Sequence, residues 1–312
     1  MSGATLRIAT RASRLALWQA EYVADRLRQS ERELDVQLVH VTTTGDRDLV
    51  ASLAGLGGVG VFTREIQQAL LDGRADVAVH SLKDLPTVPV PGIHLAAVPR
   101  RAAPWDALVL PRDSSGTALR DLPSGARVGT GSLRRRAQLL HVRPDLQFHE
   151  VRGNVETRLR KLDEGSYDAL VLAVAGLDRL GLADRITVQL TPPDLFPAVG
   201  QGALGLECRT DDLPTRDRLE QITDGPTFAA TAAERQVLAT LQAGCHAPVG
   251  VATNVADESL TLEAVVLSRD GKQRLFTRQT GALADPRALG EAVARELLRQ
   301  GAAPLIEAAE SQ

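Results

Sequence analysis

Three consecutive arginines, Arg134, Arg135 and Arg136, stand in the stretch VGTGSLRRRAQLL at residues 128–140. Guanidinium groups donate paired hydrogen bonds in a geometry that suits carboxylates. A Gly-Thr-Gly-Ser turn precedes them, between a predicted strand and a predicted helix that Ser132 can cap. Free backbone N–H groups and the helix dipole favour an anion at such a turn. The stretch therefore predicts an anion site, with a solvated helix face as the alternative.

Two further stretches repeat this arrangement. In VRGNVETRLRKL, Arg152 follows a predicted strand, Asn154 is at the predicted helix N-cap, and Arg158 lies one turn into the helix. In IATRAS, Arg11 and Ser13 follow the first predicted strand. One such stretch alone is typical of an ordinary capped helix with solvated arginines. Three of them, all at carboxyl ends of predicted parallel strands, favour a shared anion-binding cleft.

A lysine and an aspartate follow a buried strand in AVHSLKDLP. Asp84 next to Lys83 is expected to stay ionised. Facing a cationic intermediate, its carboxylate could stabilise positive charge and pass protons. The alternative is a turn aspartate before Pro86. His80, within the strand, is interpreted as a core histidine.

The two cysteines have different surroundings. Cys245 and His246 stand in a Gly-bounded turn, LQAGCHAPVG, after a long predicted helix. Adjacent residues of an extended chain point in different directions, which disfavours a hydrolytic Cys-His dyad, but an exposed thiol can carry a covalently attached group. Cys208 lies in the apolar strand GALGLEC and is interpreted as structural. Two cysteines are too few for a disulfide scaffold or a cysteine zinc site, and no metal is predicted.

A glycine-rich motif, GLGGVG at residues 55–60, matches the dinucleotide-binding pattern G-x-G-x-x-G. That pattern must follow its strand directly. Here the strand ends near Val41, and TTTGDRDLVASLA intervenes. We interpret residues 45–60 as a long loop that could act as a lid over the cleft.

Charge and composition restrict the classes of partner. The 312-residue chain has a formal net charge of −3 and 3% aromatic residues, yet residues 127–160 hold eight arginines against three acidic residues. Nucleic-acid binders more often combine a basic domain with interleaved aromatic side chains. We therefore expect no nucleic acid as partner. Because no long apolar segment and no signal-peptide pattern occurs, we also expect no membrane partner and a cytoplasmic protein.

Strand and helix patterns alternate over the first two hundred residues, which predicts an α/β fold with mainly parallel sheets. Two similar halves, about 1–100 and about 101–200, are expected to face each other across a cleft. After residue 220 the pattern changes to a long helix, three strands with short connecting turns, and a final helix. This order predicts a small α+β domain with an antiparallel sheet.

Several long segments, in order along nearly the whole chain, resemble the porphobilinogen deaminase (hydroxymethylbilane synthase) family. They are LRIATRASRLALWQA, ADVAVHSLKDLP, VGTGSLRRRAQL, VRGNVETRL, LAVAGLDRLGL, PAVGQGALGLECR and GCHAPVG. The resemblance implies two doubly wound domains like those of periplasmic binding proteins, plus a small α+β C-terminal domain. The implied domains are residues 1–100 with 200–220, residues 101–199, and residues 221–312.

The resemblance also implies a transferase. Such an enzyme joins four porphobilinogen molecules with loss of ammonia, and releases linear hydroxymethylbilane by hydrolysis, in the biosynthesis of haem and other tetrapyrroles. It carries a dipyrromethane cofactor, attached as a thioether to the cysteine that Cys245 matches. Porphobilinogen is the expected partner, and a monomer is the expected assembly. The fold alone also allows a non-catalytic, two-lobed anion-binding protein, which is the main alternative.

By resemblance, each singled-out residue receives a role. Asp84 matches the catalytic aspartate. The residues that match the cofactor-binding set are Cys245, Lys83, Ser132, Arg134 and Arg135, and those that match the substrate-binding set are Arg11, Ser13, Arg152, Arg158 and Arg179. Arg136 falls outside both sets and is interpreted as a solvated helix residue. Since every pyrrole of the substrate bears an acetate and a propionate, these cations are expected to meet carboxylates.

This chain departs from the family at a few positions. Gly131 replaces a serine that usually precedes Ser132. In the predicted lid, Thr44, Gly55 and Val59 stand where the family often has basic residues.

Overall fold

The computed structural model describes residues 5–43, 63–244 and 247–310. The chain divides into two compact units, Met1–Ala102 with Ala203–Phe228, and Ala103–Gly202 with Ala229–Gln312, and each is described by itself. The predicted lid, with Thr44, Gly55 and Val59, lies outside the described residues, as do Cys245 and His246. The domain boundaries and the cleft inferred from the sequence stay predictions.

The described residues form the following strands and helices. The strands are β1 (Thr5–Thr10), β2 (Asp35–His40), β3 (Val77–Ser81), β4 (Ile93–Ala97), β5 (Asp106–Val109), β6 (Arg127–Gly129), β7 (Gln147–His149), β8 (Ala169–Ala173), β9 (Val188–Leu190), β10 (Leu204–Arg209), β11 (Val249–Ala256), β12 (Ser259–Leu267) and β13 (Arg274–Ala282). The helices are α1 (Arg14–Ser30), α2 (Arg64–Leu71), α3 (Leu133–Val142), α4 (Val155–Asp163), α5 (Val174–Arg179), α6 (Leu213–Glu220), α7 (Gly225–Leu241), α8 (Pro286–Arg299) and α9 (Ala302–Glu310).

The first unit contains a five-stranded sheet in the order β2-β1-β3-β10-β4. β1 runs parallel to β2 and β3, whereas β10 runs antiparallel to β3 and β4. The helix α1 packs on this sheet through Ala20, Val23 and Leu27, which recur at helical spacing and are fully buried. Its predicted N-cap is confirmed, because the Ser13 side chain accepts a hydrogen bond from the Ala16 N–H.

The second unit repeats this arrangement in a sheet ordered β7-β6-β8-β5-β9. β6 runs parallel to β7 and β8, whereas β5 runs antiparallel to β8 and β9. The expectation of mainly parallel sheets was therefore wrong, since half of the strand pairings in each α/β sheet are antiparallel. In both sheets one strand, β10 or β5, runs against two neighbours from distant parts of the chain. The α/β fold class itself is confirmed.

The C-terminal part of the second unit contains an antiparallel sheet in the order β11-β12-β13, which confirms the predicted meander. Helices α7, α8 and α9 bury their apolar side chains against it, around Val237, Leu262 and Val293. The turn between β12 and β13 packs on the end of α3, where His141 Nδ1 lies 2.8 Å from the Gly271 carbonyl. Contact this close requires glycine, because a Cβ at Gly271 would lie 2.6 Å from the Ala137 carbonyl oxygen.

Within the described ranges, no helix has both the length and the apolar character needed to cross a membrane.

Candidate active site

Two of the three consecutive arginines are buried at the start of α3, just after β6. The side chains of Arg134 and Arg135 are 5% and 8% exposed, and the Ser132 hydroxyl caps the helix by accepting a hydrogen bond from the Arg135 N–H. Arg136 is exposed. Each helical residue is rotated by about 100° from the one before it, so a third consecutive side chain leaves the buried face. The predicted cap and the solvated Arg136 are both confirmed.

Asp106, the first residue of β5, lies between these two guanidinium groups and is fully buried. Its Oδ2 accepts a hydrogen bond from Arg134 Nη1 at 2.8 Å, and its Oδ1 accepts two from Arg135, Nε at 2.9 Å and Nη2 at 2.7 Å. Burial alone raises the pKa of Asp106. The charges and hydrogen bonds of the two arginines outweigh this effect and hold the pKa well below its ordinary value.

The cluster of Asp106, Arg134 and Arg135, here called the arginine triad, carries one negative and two positive charges. Arg134 Nη1 also donates to the Phe196 carbonyl at 2.6 Å, and Arg135 Nη1 donates to the Val171 carbonyl at 2.8 Å. The Nε and Nη2 groups of Arg134 donate to no acceptor in the described part of the chain. Buried charges in proteins are normally paired, so the triad is suited to receive one further anion.

Arg152 and Arg158 flank the N-terminus of α4, at the same sheet edge as the triad. β6 and β7 are parallel neighbours, so the loops that follow them lie side by side, and the Thr130 N–H donates to the His149 carbonyl at 2.9 Å. The predicted N-cap of α4 is confirmed, since Asn154 Oδ1 accepts from the Thr157 N–H at 2.9 Å. Arg158 Nε donates to the Gly153 carbonyl at 2.8 Å, which places its guanidinium against the loop after β7.

Arg179 is the last residue of α5, which follows β8 directly. Its Nη2 donates to the Gly202 carbonyl at 2.6 Å. The preceding residue, Gln201, donates from Nε2 to Asp106 Oδ1 at 3.0 Å. The loops after β6, β7 and β8 thus bring six predicted binding residues to one end of the sheet: Ser132, Arg134, Arg135, Arg152, Arg158 and Arg179.

The predicted residues of the first unit also follow neighbouring parallel strands. Arg11 and Ser13 follow β1, and Lys83 and Asp84 lie in a single 3₁₀ turn, Leu82–Asp84, after β3. The helix that follows β1 is linked to the end of β3, because Gln19 Nε2 of α1 donates to Ser81 Oγ at 2.9 Å. Asp84 is exposed, and its carboxylate accepts no hydrogen bond from the described residues.

Residues on both sides of Cys245, which itself lies outside the described residues, make backbone hydrogen bonds. The Ala247 N–H donates to the Gly244 carbonyl at 3.1 Å, and the Val251 N–H of β11 donates to the Pro197 carbonyl at 2.9 Å. Pro197 follows Phe196, whose carbonyl accepts from Arg134. The strand β11, which begins four residues after Cys245, is therefore hydrogen-bonded to the same short segment as the arginine triad.

The interpretations of Cys208 and His80 are confirmed. Cys208 is fully buried in β10, and burial raises the pKa of its thiol to about 11. A thiol with this pKa is protonated at neutral pH and is a poor nucleophile. His80 is buried in β3, with Nε2 3.1 Å from Glu207 Oε2. In the ranges that the structure describes, no group of three His, Cys, Asp or Glu side chains could hold a metal ion.

Sequence reasoning missed Asp106 and Gln201. A signal for Asp106 was present, since it is the lone acidic residue in the apolar stretch AAPWDALVL at residues 102–110. An acid in such a stretch is rarely buried without a cationic partner. Gln201 offers no comparable signal, because only the fold brings it to Asp106.

Two family models match the chain. The model described as "Porphobilinogen deaminase, dipyromethane cofactor binding domain" matches residues 6–217. The model described as "Porphobilinogen deaminase, C-terminal domain" matches residues 228–299.

Curated proteins named porphobilinogen deaminase are similar to the chain over almost its whole length. The protein from Syntrophotalea carbinolica (strain DSM 2380) is 47% identical over 308 residues, covering 99% of this chain and 97% of that protein. The protein from Desulforudis audaxviator (strain MP104C) is 48% identical over 299 residues, covering 96% of each. Among solved structures, the methionine binding protein MetQ is similar with a TM-score of 0.44 at 13% identity, covering 70% of this chain and 89% of that chain.

Proposed function

The chain belongs to the porphobilinogen deaminase family, and from this premise we propose which of its residues carry the family's reaction. The protein is an enzyme, a transferase of tetrapyrrole biosynthesis with hydroxymethylbilane synthase activity. It joins four porphobilinogen molecules with loss of ammonia and releases linear hydroxymethylbilane by hydrolysis. Family membership disfavours the alternative of a non-catalytic anion-binding protein.

The observation that carries the proposal is the excess positive charge of the arginine triad. Each pyrrole of the dipyrromethane cofactor bears carboxylates, and a buried guanidinium with N–H groups left over fits such a ligand. Ser132, Arg134, Arg135 and Lys83 would hold the cofactor, with Cys245 as its covalent anchor through a thioether. When bound, the cofactor supplies the primer to which substrate pyrroles are joined.

A second set of residues is proposed to bind substrate. Its members follow strand ends and are partly exposed, so that they can reach both protein and ligand. They are Arg11, Ser13, Arg152, Arg158 and Arg179. Guanidinium groups remain charged at any physiological pH, which suits a product that gains two carboxylates with every pyrrole added.

Asp84 is proposed as the catalytic residue. Loss of ammonia from porphobilinogen leaves a cation that is delocalised over the pyrrole ring. A carboxylate held beside the pyrrole N–H stabilises this cation more than it stabilises the neutral substrate, and so lowers the barrier. The same carboxylate can pass protons during deamination and coupling. Its exposure and its lack of hydrogen-bond donors among the described residues support this role.

We further propose that the enzyme works as a monomer in the cytoplasm, with porphobilinogen as its small-molecule partner and without nucleic acid or membrane. The net charge of −3 and the 3% of aromatic residues support the exclusion of nucleic acid. The three-domain division at about residues 100, 200 and 220 is kept as part of this proposal.

The test is turnover of porphobilinogen by Asp84→Asn, which removes the charge and keeps the shape. We expect a loss of turnover of about a hundredfold or more, because one electrostatic stabiliser of a transition state contributes about that much. Porphobilinogen binding should remain. Asp25→Asn, a change at an exposed residue of α1 that pairs with Arg28, is the matched control and should keep wild-type turnover. Full turnover by Asp84→Asn would contradict the proposed role.

A further inference from the structure

We infer that Asp106 is a positioning residue, which fixes the place and the net charge of Arg134 and Arg135 without touching the ligand. The inference rests on the proposed function, in which these two arginines bind cofactor carboxylates. Asp106 is not among the residues that the sequence predicts to form the site, and no sequence motif includes it.

The first argument is the hydrogen-bonding capacity of Asp106. An ionised carboxylate has about four acceptor positions. Four donors contact it here, at distances from 2.7 to 3.0 Å: Arg135 Nε, Arg135 Nη2 and Gln201 Nε2 donate to Oδ1, and Arg134 Nη1 donates to Oδ2. The side chain is also fully buried. Because it is buried among these donors, Asp106 is placed to act on a ligand through the arginines and not by direct contact.

The second argument is the rigidity of what holds Asp106. Its backbone lies in β5 between β8 and β9, in register with Ala173 and Leu190. Gln201 Nε2 is fixed in turn by the Pro104 carbonyl, at 2.6 Å. The guanidinium groups are held at their other sides by the carbonyls of Phe196 and Val171. Arginine side chains otherwise sample many rotamers, and fixing them beforehand removes that entropy cost from ligand binding.

The third argument is charge. Without Asp106, two adjacent buried guanidinium groups would repel each other, and one or both would turn towards water. With Asp106, the triad keeps a single positive charge, which matches a single carboxylate group. An asparagine at this position would leave both positive charges uncompensated, and its amide N–H₂ would offer donors where the arginines need acceptors.

The experiment measures how fast apoprotein gains mass at Cys245 on incubation with porphobilinogen, followed by intact-mass spectrometry. We expect Asp106→Asn to load about tenfold to a hundredfold more slowly than wild type, the loss typical of displaced binding groups. The control is Asp163→Asn, which removes the carboxylate that accepts hydrogen bonds at 3.0 and 2.7 Å from Arg185, another buried arginine of the same unit. This control should load close to the wild-type rate.

A double-mutant cycle separates positioning from a general effect on the fold. If Asp106 acts through Arg134, then Asp106→Asn should slow loading much less in an Arg134→Leu background than in wild type. If the double variant is slower by the full product of the factors by which the two single substitutions slow loading, the inference is overturned. If Asp106→Asn does not fold, as judged by circular dichroism, Asp106→Glu provides the test. It keeps the charge and shifts the carboxylate by one methylene, and wild-type loading by this variant would overturn the inference.

Failure of the inference and failure of the proposed function give different results. If wild type loads and Asp106→Asn loads equally fast, the positioning role is wrong and the proposed function stands. If wild type itself gains no mass from porphobilinogen, the proposed function is wrong and the inference falls with it.

Discussion

Arg134, Arg135 and Arg136 are chemically identical, and their surroundings assign them different properties. Arg136 is exposed, whereas Arg134 and Arg135 lie at the N-terminus of α3 with Asp106 between them. Burial removes water as a competing partner, and a guanidinium in such a place interacts strongly with any anion that reaches it. At the scale of single residues, the proposed site therefore depends on which arginines are buried and not on how many there are.

A charged pair at the end of α3 gives a prediction about pH. Arg143 Nε and Nη2 donate to Asp145 at 2.8 and 2.7 Å, and these hydrogen bonds are the main cause that lowers the pKa of Asp145 to about 2. A pKa below the unfolded value of about 4 stabilises the fold above that value. The stabilisation is lost as the pH falls towards the folded pKa.

We therefore expect Asp145→Asn to unfold at a lower urea concentration than wild type at pH 7. The difference between the two midpoints should shrink as the pH is lowered from about 5 towards about 2, because wild-type Asp145 then becomes neutral as well. Urea unfolding followed by circular dichroism at a series of pH values measures this. A difference that stays constant down to the lowest pH would show that Asp145 stabilises through something other than its charge.

Whole elements differ in how well the sequence predicts them. The starts of α1, α3 and α4 were predictable, because a capping side chain acts on backbone groups two or three residues away. The antiparallel pairing of β10 with β3 was not, because it joins Leu204 to Ser81 across more than a hundred residues. Alternation of strands and helices predicts that a sheet forms, but local patterns carry no information about the direction of a distant strand.

The packing of α8 on α7 gives a prediction at the scale of elements. A Cβ built on Gly290 would lie 2.3 Å from the Ala233 carbonyl oxygen and 2.7 Å from Gln236 Cβ. Alanine has a higher helix propensity than glycine by about 1 kcal/mol. Overpacking a closed interface costs about 1–3 kcal/mol. We expect the second effect to dominate here, since the nearest atom belongs to the backbone and cannot rotate away.

Gly290→Ala should therefore lower the free energy of unfolding, as measured by urea titration. The matched control is Gly225→Ala at the start of α7, where a Cβ would meet no atom within 4 Å and stability should be unchanged or slightly increased. Wild-type stability for Gly290→Ala would mean that the two helices are less closely packed than the structure indicates.

Across the whole molecule, the sequence predicted the fold class, but not the contacts that the proposed site residues make. The motifs named Arg134 and Arg135 as ligands of an anion, yet they did not reveal that Asp106 already neutralises one of the two positive charges. Asp106 lies 28 residues before Arg134, in a separate strand. Such a contact arises only when the sheet has formed, so the net charge of the site could not be derived from the motif.

In each unit, the side chains proposed to form the site lie at the carboxyl ends of the parallel strands. The first presents the Asp84 carboxylate beside Lys83, and the second presents the arginine triad with Arg152, Arg158 and Arg179. In the proposed reaction the arginines hold carboxylates that do not react, and Asp84 acts on the positive charge that forms at the pyrrole. Because the groups proposed for binding are separate from the one proposed for catalysis, the pyrrole chain could lengthen while the same carboxylate acted at every step.

The central claim is that this chain carries a covalent pyrrole cofactor on Cys245, and the intact mass of the purified protein tests it most directly. We expect wild type to exceed its sequence mass by two linked pyrroles, and Cys208→Ala to keep that added mass, because Cys208 is buried and protonated. Cys245→Ser should have the bare sequence mass. Added mass on Cys245→Ser, or a wild type that stays unmodified after incubation with porphobilinogen, would contradict the claim.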